Sequence, residues 1–205
     1  MNRLFSLISG MFTGIIETLG TVTHISEQGT NRRFTIKSTI STELKVDQSV
    51  SHNGVCLTVV EVSGDSHSVV AVDETLKKTT LGAWVKGEEV NIERCMLNNG
   101  RFDGHIVQGH VDQVGIVTRV QQLEGSWLFD FEYEAGEGNV TVEKGSISVN
   151  GASLTCFDSK KGSFRVTIIP YTYEHTSFRQ LKKGDRVNLE FDIIGKYVKR
   201  LLQQD

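Results

Sequence analysis

Four positions in this chain carry side chains able to do chemistry where a second copy of the same local sequence carries something different. Cys56 is matched by Ser153, His110 by Ile15, Lys144 by Asp47, and Asp192 by Cys95. A thiol is a strong nucleophile once ionised. An imidazole carries protons near neutral pH. Two matched pockets that differ at such positions suit a reaction between two similar molecules, one treated as donor and the other as acceptor.

The repeat behind this comparison is direct. Residues 48–62 read QSVSHNGVCLTVVEV and residues 145–159 read GSISVNGASLTCFDS. At an offset of 97 they share Ser49/Ser146, Ser51/Ser148, Asn53/Asn150, Gly54/Gly151, Leu57/Leu154 and Thr58/Thr155. The same offset pairs Thr75 with Thr172, Thr79 with Thr176, Asn91 with Asn188 and Glu93 with Glu190. Upstream, FTGIIETLGTVTHI from Phe12 matches VQGHVDQVGIVTRV from Val107 at an offset of 95. A chain of 205 residues therefore divides into two domains of similar size.

Composition narrows the class. A net charge of -3 supplies no basic surplus to neutralise phosphates, and the 8% aromatic content offers no stacking face. Nucleic acid is thus not an expected partner. Cys56, Cys95 and Cys156 cannot all pair and form no CxxC, which fits a reducing cytoplasm. The first ten residues, MNRLFSLISG, hold a short apolar run with one arginine, are too short to span a membrane, and read as a leader or an upstream start before the first domain.

Strand signals position the reactive residues. Runs rich in Val, Ile and Thr alternate with turn signals such as Asn53-Gly54, Lys86-Gly87, Asn150-Gly151 and Lys183-Gly184. In residues 20–25, Val22 and His24 fall on one face and Thr21 and Thr23 on the other. Short strands at regular spacing in each half predict a small closed antiparallel barrel. Residues 73–81 and 170–178 break the pattern as helical turns, the latter at Pro170. At the end of the chain, Ile194, Tyr197, Val198, Leu201 and Leu202 form one helical stripe with Lys196, Lys199 and Arg200 opposite. That helix either packs on its own barrel or joins copies of the chain.

These motifs together resemble the riboflavin synthase family of the alpha-chain type. The resemblance is carried by Met11-Phe12-Thr13-Gly14-Ile15-Ile16-Glu17, by residues 52–58 (HNGVCLT), by residues 104–112 (GHIVQGHVD), and by Lys144-Gly145-Ser146 with residues 150–155 (NGASLT) and 184–190 (GDRVNLE). Membership implies an all-β fold of two pseudo-twofold-related six-stranded Greek-key barrels and a C-terminal α-helix. It divides the chain into an extension (1–10), two barrels (11–101 and 102–191) and a trimerisation helix (192–205). It implies a homotrimer, with each site between the first barrel of one subunit and the second of a neighbour, and allows association with lumazine synthase. The implied reaction is a dismutation of two 6,7-dimethyl-8-ribityllumazine molecules, without metal or other cofactor.

By the same resemblance, Ser49 and Cys56 belong to the first-barrel side of the site, and His110, Thr155 and Asp192 to the second-barrel side. Matched segments are expected to hold the ligands. One pair comprises Phe12, Gly14, Ile15 and Ile16 with Gly109, His110 and Val111. A second comprises Cys56, Leu57 and Thr58 with Ser153, Leu154 and Thr155, to which Lys144 is added. A third comprises Val70, Ala71, Val72, Asp73, Glu74 and Thr75 with Ile169, Pro170, Tyr171, Thr172, Tyr173 and Glu174. Thr hydroxyls and Glu74 suit ribityl hydroxyls. Each residue has a plainer reading. Cys56 is equally a small core residue, Asp192 a helix cap, and the Asn-Gly pairs turn chemistry. His105, His110 and Asp112 lack common zinc spacing. Tyr171 and Tyr173 depart from the family pattern, as do Asn150 and Ala152. A non-catalytic lumazine- or flavin-binding antenna protein is the competing reading, disfavoured because the reactive residues of both halves are present.

Overall fold

The computed structural model describes residues 11–97, 99–136 and 139–202; the expected N-terminal extension, residues 1–10, lies outside them. In the first half, β1 (Thr18–Gln28), β2 (Asn31–Lys37), β3 (Ser49–His52), β4 (Val55–Ser63), β5 (Ser66–Ala71) and β6 (Glu89–Arg94) close into an antiparallel barrel in the order β1-β2-β5-β4-β3-β6. Closure follows from alternation. Val55, Leu57 and Val59 of β4 point into the core while Cys56 and Thr58 point out. The expected alternation fails at one point in β1. A bulge between Val22 and His24 turns His24 out to solvent and lets Ile25 pack on the core.

The second half repeats the order with one more strand. β7 (Gln113–Leu123), β8 (Ser126–Glu132), β9 (Ser146–Val149), β10 (Ala152–Thr155), β11 (Phe157–Lys160), β12 (Ser163–Ile168) and β13 (Arg186–Phe191) form a curled sheet ordered β10-β9-β13-β7-β8-β12-β11. Six strands were expected, and β10 and β11 together stand where β4 stands. Both copies are irregular at the same place. Pairing shifts between Val59 and Glu61 in β4, whereas the matched segment breaks at Cys156 and Asp158 adopts a φ of 48°. The Cys156 backbone still bonds Lys144 and Gly145 as Val59 bonds Asp47 and Gln48, so the sheet stays curled there.

The helices are few and placed at the openings. α1 (Asp73–Lys78) and α2 (Pro170–His175) follow β5 and β12, and each leads into a 3-10 turn, Thr80–Ala83 and Ser177–Gln180. Pro170 begins α2, where its missing N–H leaves no bond unmade. The final helix, α3 (Ile193–Leu202), does not pack its apolar stripe on its own barrel. Ile194, Tyr197, Val198, Leu201 and Leu202 are all exposed, while Lys196 on the polar face turns inward to Asp112 at 2.6 Å. No helix of the described residues is long and apolar enough to cross a membrane.

The halves meet through a symmetric set of buried amides. Asn53 Oδ1 accepts from the Asn91 N–H at 2.8 Å, and Asn150 Oδ1 accepts from the Asn188 N–H at 2.8 Å. Across the junction, Asn91 Nδ2 donates to the Asn150 carbonyl (2.8 Å) and Asn188 Nδ2 to the Asn53 carbonyl (2.9 Å). Each remaining amide oxygen caps a 3-10 turn of the opposite half, Asn91 at Ser177 N and Asn188 at Thr80 N, both at 2.7 Å. Gly54 and Gly151, at φ +79° and +82°, face each other so closely that a Cβ on either would lie 2.7 Å from the other's nitrogen. The Asn-Gly pairs therefore make the hairpin turns and also the junction.

Inside the first barrel lies a polar chain that the second half lacks. His52 Nε2 and His67 Nε2 are 2.8 Å apart, His67 Nδ1 is 2.8 Å from Ser41 Oγ, and Ser41 Oγ is 2.8 Å from Ser38 Oγ. His52 Nδ1 faces the Val50 carbonyl, which can only accept. This fixes every proton. His52 Nδ1–H donates to Val50, His67 Nε2–H donates to His52, and the Ser41 hydroxyl donates to His67. Protonating both rings would set two donors face to face between the Nε2 atoms, so the pair cannot carry two charges. Burial pushes both pKa values below the ordinary histidine range.

The unfolded chain therefore binds protons that the folded chain refuses. The histidine pair's own contribution to stability should be full above about pH 6.5 and fall as pH drops below it, by up to about 1.4 kcal/mol per pH unit for each histidine. The buried carboxyls of Glu93 and Glu190, raised to about 7, contribute the opposite slope above the ordinary carboxylate range. Urea unfolding across this range measures the slope. Replacing the pair by its second-half counterparts, His52→Val with His67→Phe (Val149 and Phe164), should remove the histidine part of it, so that the variant gains stability relative to the unmodified chain as pH falls below about 6.5. An unchanged slope would show that the acid sensitivity lies elsewhere.

Candidate active site

Each half covers the other. Residues 109–111 come from the second half but lie over β4, where the Cys56 N–H donates to the Gly109 carbonyl at 2.8 Å. Residues 14–16 come from the first half but lie over β10, where the Ser153 N–H donates to the Gly14 carbonyl at 2.8 Å. Val111 packs on the first core and Ile16 on the second. Glycine is required at both crossings. Gly14 and Gly109 have φ of +78° and +77°, and a Cβ on either would stand 2.6 Å from the Cβ of Ser153 or Cys56.

A buried carboxylate fixes each crossing loop. Glu93 accepts from Thr13 N at 2.7 Å, Thr13 Oγ1 at 2.8 Å and Gly14 N at 3.0 Å. Glu190 accepts from Gln108 N at 2.6 Å and His110 N at 2.9 Å. Burial raises both carboxyls to about 7, against the N–H donors that favour the charged form. As the pH rises through that range the ionised oxygens become acceptors only, which suits the main-chain donors they meet.

The first crossing encloses a cavity of about 320 Å³ lined by Cys56, Val72, Glu74, Thr75, His110 and Val111 among others. That is enough for a small ring system. Cys56 is not the core residue its neighbours suggested. It is half-buried on the outer face of β4, and its burial raises the thiol pKa, opposed by a hydrogen bond from Ser49. At neutral pH it is a thiol, so its use as a nucleophile needs a base. His110 is exposed at the rim, and its backbone N–H donates to Glu190.

The second crossing presents Ser153 where the first has Cys56. Ser153 Oγ lies 2.7 Å from Nδ1 of the buried His105. Burial lowers the His105 pKa, and Asp192 opposes this. Asp192 Oδ1 accepts from Ile194 N at 2.9 Å, so this residue caps α3 as well as facing the imidazole. Thr155 and Lys144 are exposed on the same half. Ile169, Pro170, Tyr171 and Thr172 stand on α2 or before it, matching the rim of the first cavity, with Tyr173 and Glu174 beyond.

Several expected contacts are placed as support. Phe12, Leu57 and Ala71 are buried, Phe12 in a bridge to Val107 and the other two in the first core. Leu154 packs on the second core. These side chains hold up the walls that their neighbours form. Ile15 and Thr58 are exposed, Val70 is half-buried in β5, and Asp73 pairs with Lys77. Lys78 and Thr79, which line the cavity, and His105 were missed. The Glu93/Glu190 match was visible in the repeat, but nothing in the sequence said that both are buried. A larger cleft of about 450 Å³ on the axis, lined by Glu88, Glu89, Asp185 and Arg186, holds none of the candidate reactive groups.

A duplicated barrel whose halves cross at two matched places, with a cavity at the first, defines a two-domain protein with a candidate ligand site. The lumazine binding domain family matches it twice, over residues 13–95 and 108–192. The riboflavin synthase of Actinobacillus pleuropneumoniae is 40% identical over 193 residues, covering 94% of this chain and 90% of that one. The riboflavin synthase of Bacillus subtilis is 39% identical over 195 residues, covering 95% and 91%. The chain belongs to the riboflavin synthase family. Its fold also matches LumP complexed with 6,7-dimethyl-8-(1'-D-ribityl) lumazine, at TM-score 0.79 and 22% identity over 88% of this chain and 98% of that one. LumP complexed with riboflavin gives TM-score 0.80 and 23% identity over 87% and 98%.

The raised Cys56 pKa makes a kinetic prediction. At pH 7.5 iodoacetamide should label Cys56 more slowly than an exposed cysteine, with a rate that keeps climbing past pH 9. Riboflavin should protect the site. Peptide mass spectrometry separates Cys56 from Cys95 and Cys156. Fast labelling at neutral pH, unaffected by ligand, would contradict the burial and position described.

Proposed function

We propose that this chain catalyses the dismutation of 6,7-dimethyl-8-ribityllumazine, in which one molecule passes a four-carbon unit to another. The products are riboflavin and 5-amino-6-(ribitylamino)uracil. Together they hold the atoms of two substrates, so the exchange balances without an outside oxidant or group donor. The observation that carries the reading is the pair of matched crossings, one closing on Cys56 beside a cavity and the other on Ser153, with Val111 and Ile16 exchanged between the cores. Two substrates need two pockets, and a reaction that distinguishes donor from acceptor needs them unlike.

Roles follow from chemistry and position. The methyl group on C7 of the lumazine is acidic, and His110 at the cavity rim takes or returns its proton. Ser49 and the Cys56 thiol face the electrophilic C7 of a ring, directly or through a water they hold. Thr155 and Asp192 belong to the second-half side. Gly14, Ile15, Ile16, Gly109 and Val111 wall the rings, and Glu74, Thr75 and Thr172 meet ribityl hydroxyls. Holding two rings face to face supplies much of the rate.

The working form in this reading is a homotrimer. Its support is the exposed apolar stripe of α3, which turns away from its own barrel and suits two further copies of itself. Each complete site then joins the first half of one chain to the second half of the next. The domain division at residues 11–101, 102–191 and 192–205, a cytoplasmic location and association with lumazine synthase belong to the same reading.

The test is direct. The purified full chain is mixed with 6,7-dimethyl-8-ribityllumazine alone, and riboflavin is followed by absorbance. Product should appear with no added cofactor. Cys56→Ala and His110→Ala should each lower kcat on the order of 100-fold while weakening ligand binding far less. Binding without conversion by the unmodified chain would favour an antenna protein and end the enzymatic reading.

A further inference from the structure

The two crossings end in different chemistry. At the first, Glu74 lines the cavity and pairs with Lys78 one helical turn on, at 2.8 Å. The matched positions of α2 are Tyr171 and His175. Their rings stack with centroids 4.2 Å apart and planes 19° from parallel. His175 Nδ1–H donates to the Tyr171 carbonyl at 2.8 Å, which holds the imidazole behind the phenol ring. The helices are otherwise alike. Thr79 Oγ1 donates to the Thr75 carbonyl and Thr176 Oγ1 to the Thr172 carbonyl, both at 2.6 Å.

α2 also has an aromatic contact from below. Tyr173 lies on Trp127 of β8 with centroids 3.8 Å apart and planes 1° from parallel. The first half has Leu76 and Arg32 at these places. Tyr171 nevertheless stays 69% exposed. A large ring at the position that matches the rim of the first cavity, already ordered by a second ring, loses little freedom when a flat ligand lies against it. An ion pair offers charge and hydrogen bonds to hydroxyls and no flat surface.

We infer that Tyr171, backed by His175, sets the ligand preference of the second pocket by stacking on the fused ring of the lumazine or flavin bound there, whereas the first pocket grips its ligand through Glu74. This rests on the function proposed above and names what makes the two bound molecules sit differently. The aromatic rim replaces a polar one at a matched position, so the two ligands are held by different parts of the same chemical structure.

Riboflavin is the probe, titrated into the full-length chain by calorimetry and by quenching of its fluorescence. The unmodified chain should bind two equivalents. Tyr171→Leu and Tyr171→Glu should weaken one of them about tenfold, the worth of one ring stack, and reduce the quenching. Tyr171→Phe should keep both. Unchanged binding by Tyr171→Leu overturns the inference, and so does Tyr171→Phe losing as much as Tyr171→Leu or a loss shared equally by both equivalents. An unmodified chain that binds neither riboflavin nor lumazine fails the functional reading itself, and is told apart by needing no variant.

Discussion

Asn53, Asn91, Asn150 and Asn188 are buried where the halves meet, and each commits its side-chain amide to main-chain groups. Two of those bonds cross from Asn91 and Asn188 to the opposite hairpin, and two more reach the opposite 3-10 turn. An amide left buried without its partner costs about 1–3 kcal/mol. The docking angle of the halves is therefore set by geometry that a slipped interface could not satisfy. Everything that makes a site depends on that angle. Only with the hairpins in contact at Gly54 and Gly151 do residues 109–111 reach Cys56 and residues 14–16 reach Ser153.

Symmetry at the centre gives way to asymmetry outward. The junction amides and the carboxylates Glu93 and Glu190 are identical in the halves. One step out, Cys56 is replaced by Ser153 and Ile15 by His110. At the rim an ion pair is replaced by stacked rings. The shared residues make two matched crossings, and the unshared ones give the crossings different electrostatics. The cores diverge too. The first barrel contains a neutral histidine pair where the second packs Val149 and Phe164. That difference affects stability in acid and leaves the pocket walls alike.

Much of this was legible from the residues. Alternation has a period of two, so the inward set of β4 could be read directly, and Asn-Gly pairs marked the hairpins. The repeat showed which positions correspond. What it could not show was which half each segment covers. Sequence matching pairs Gly14 with Gly109 but is silent on their crossing to opposite barrels. Bulges were also invisible, which is why His24 faces solvent and why β10 and β11 are separate strands. His52 and His67 lie on β3 and β5, which are not neighbours in the sheet, so their contact through the barrel interior has no sequence signal. The stripe on α3 was legible, and its outward orientation was not.

The central claim is that each half supplies one ligand pocket and that the pockets lie at the two crossings. A crystal structure of the chain grown with saturating riboflavin tests it most directly. The account predicts two riboflavin molecules per chain, one against Cys56, Glu74 and His110, the other against Ser153, Ile15 and Tyr171. A single molecule per chain, or one seated in the cleft on the axis beside Glu88 and Arg186, would contradict it.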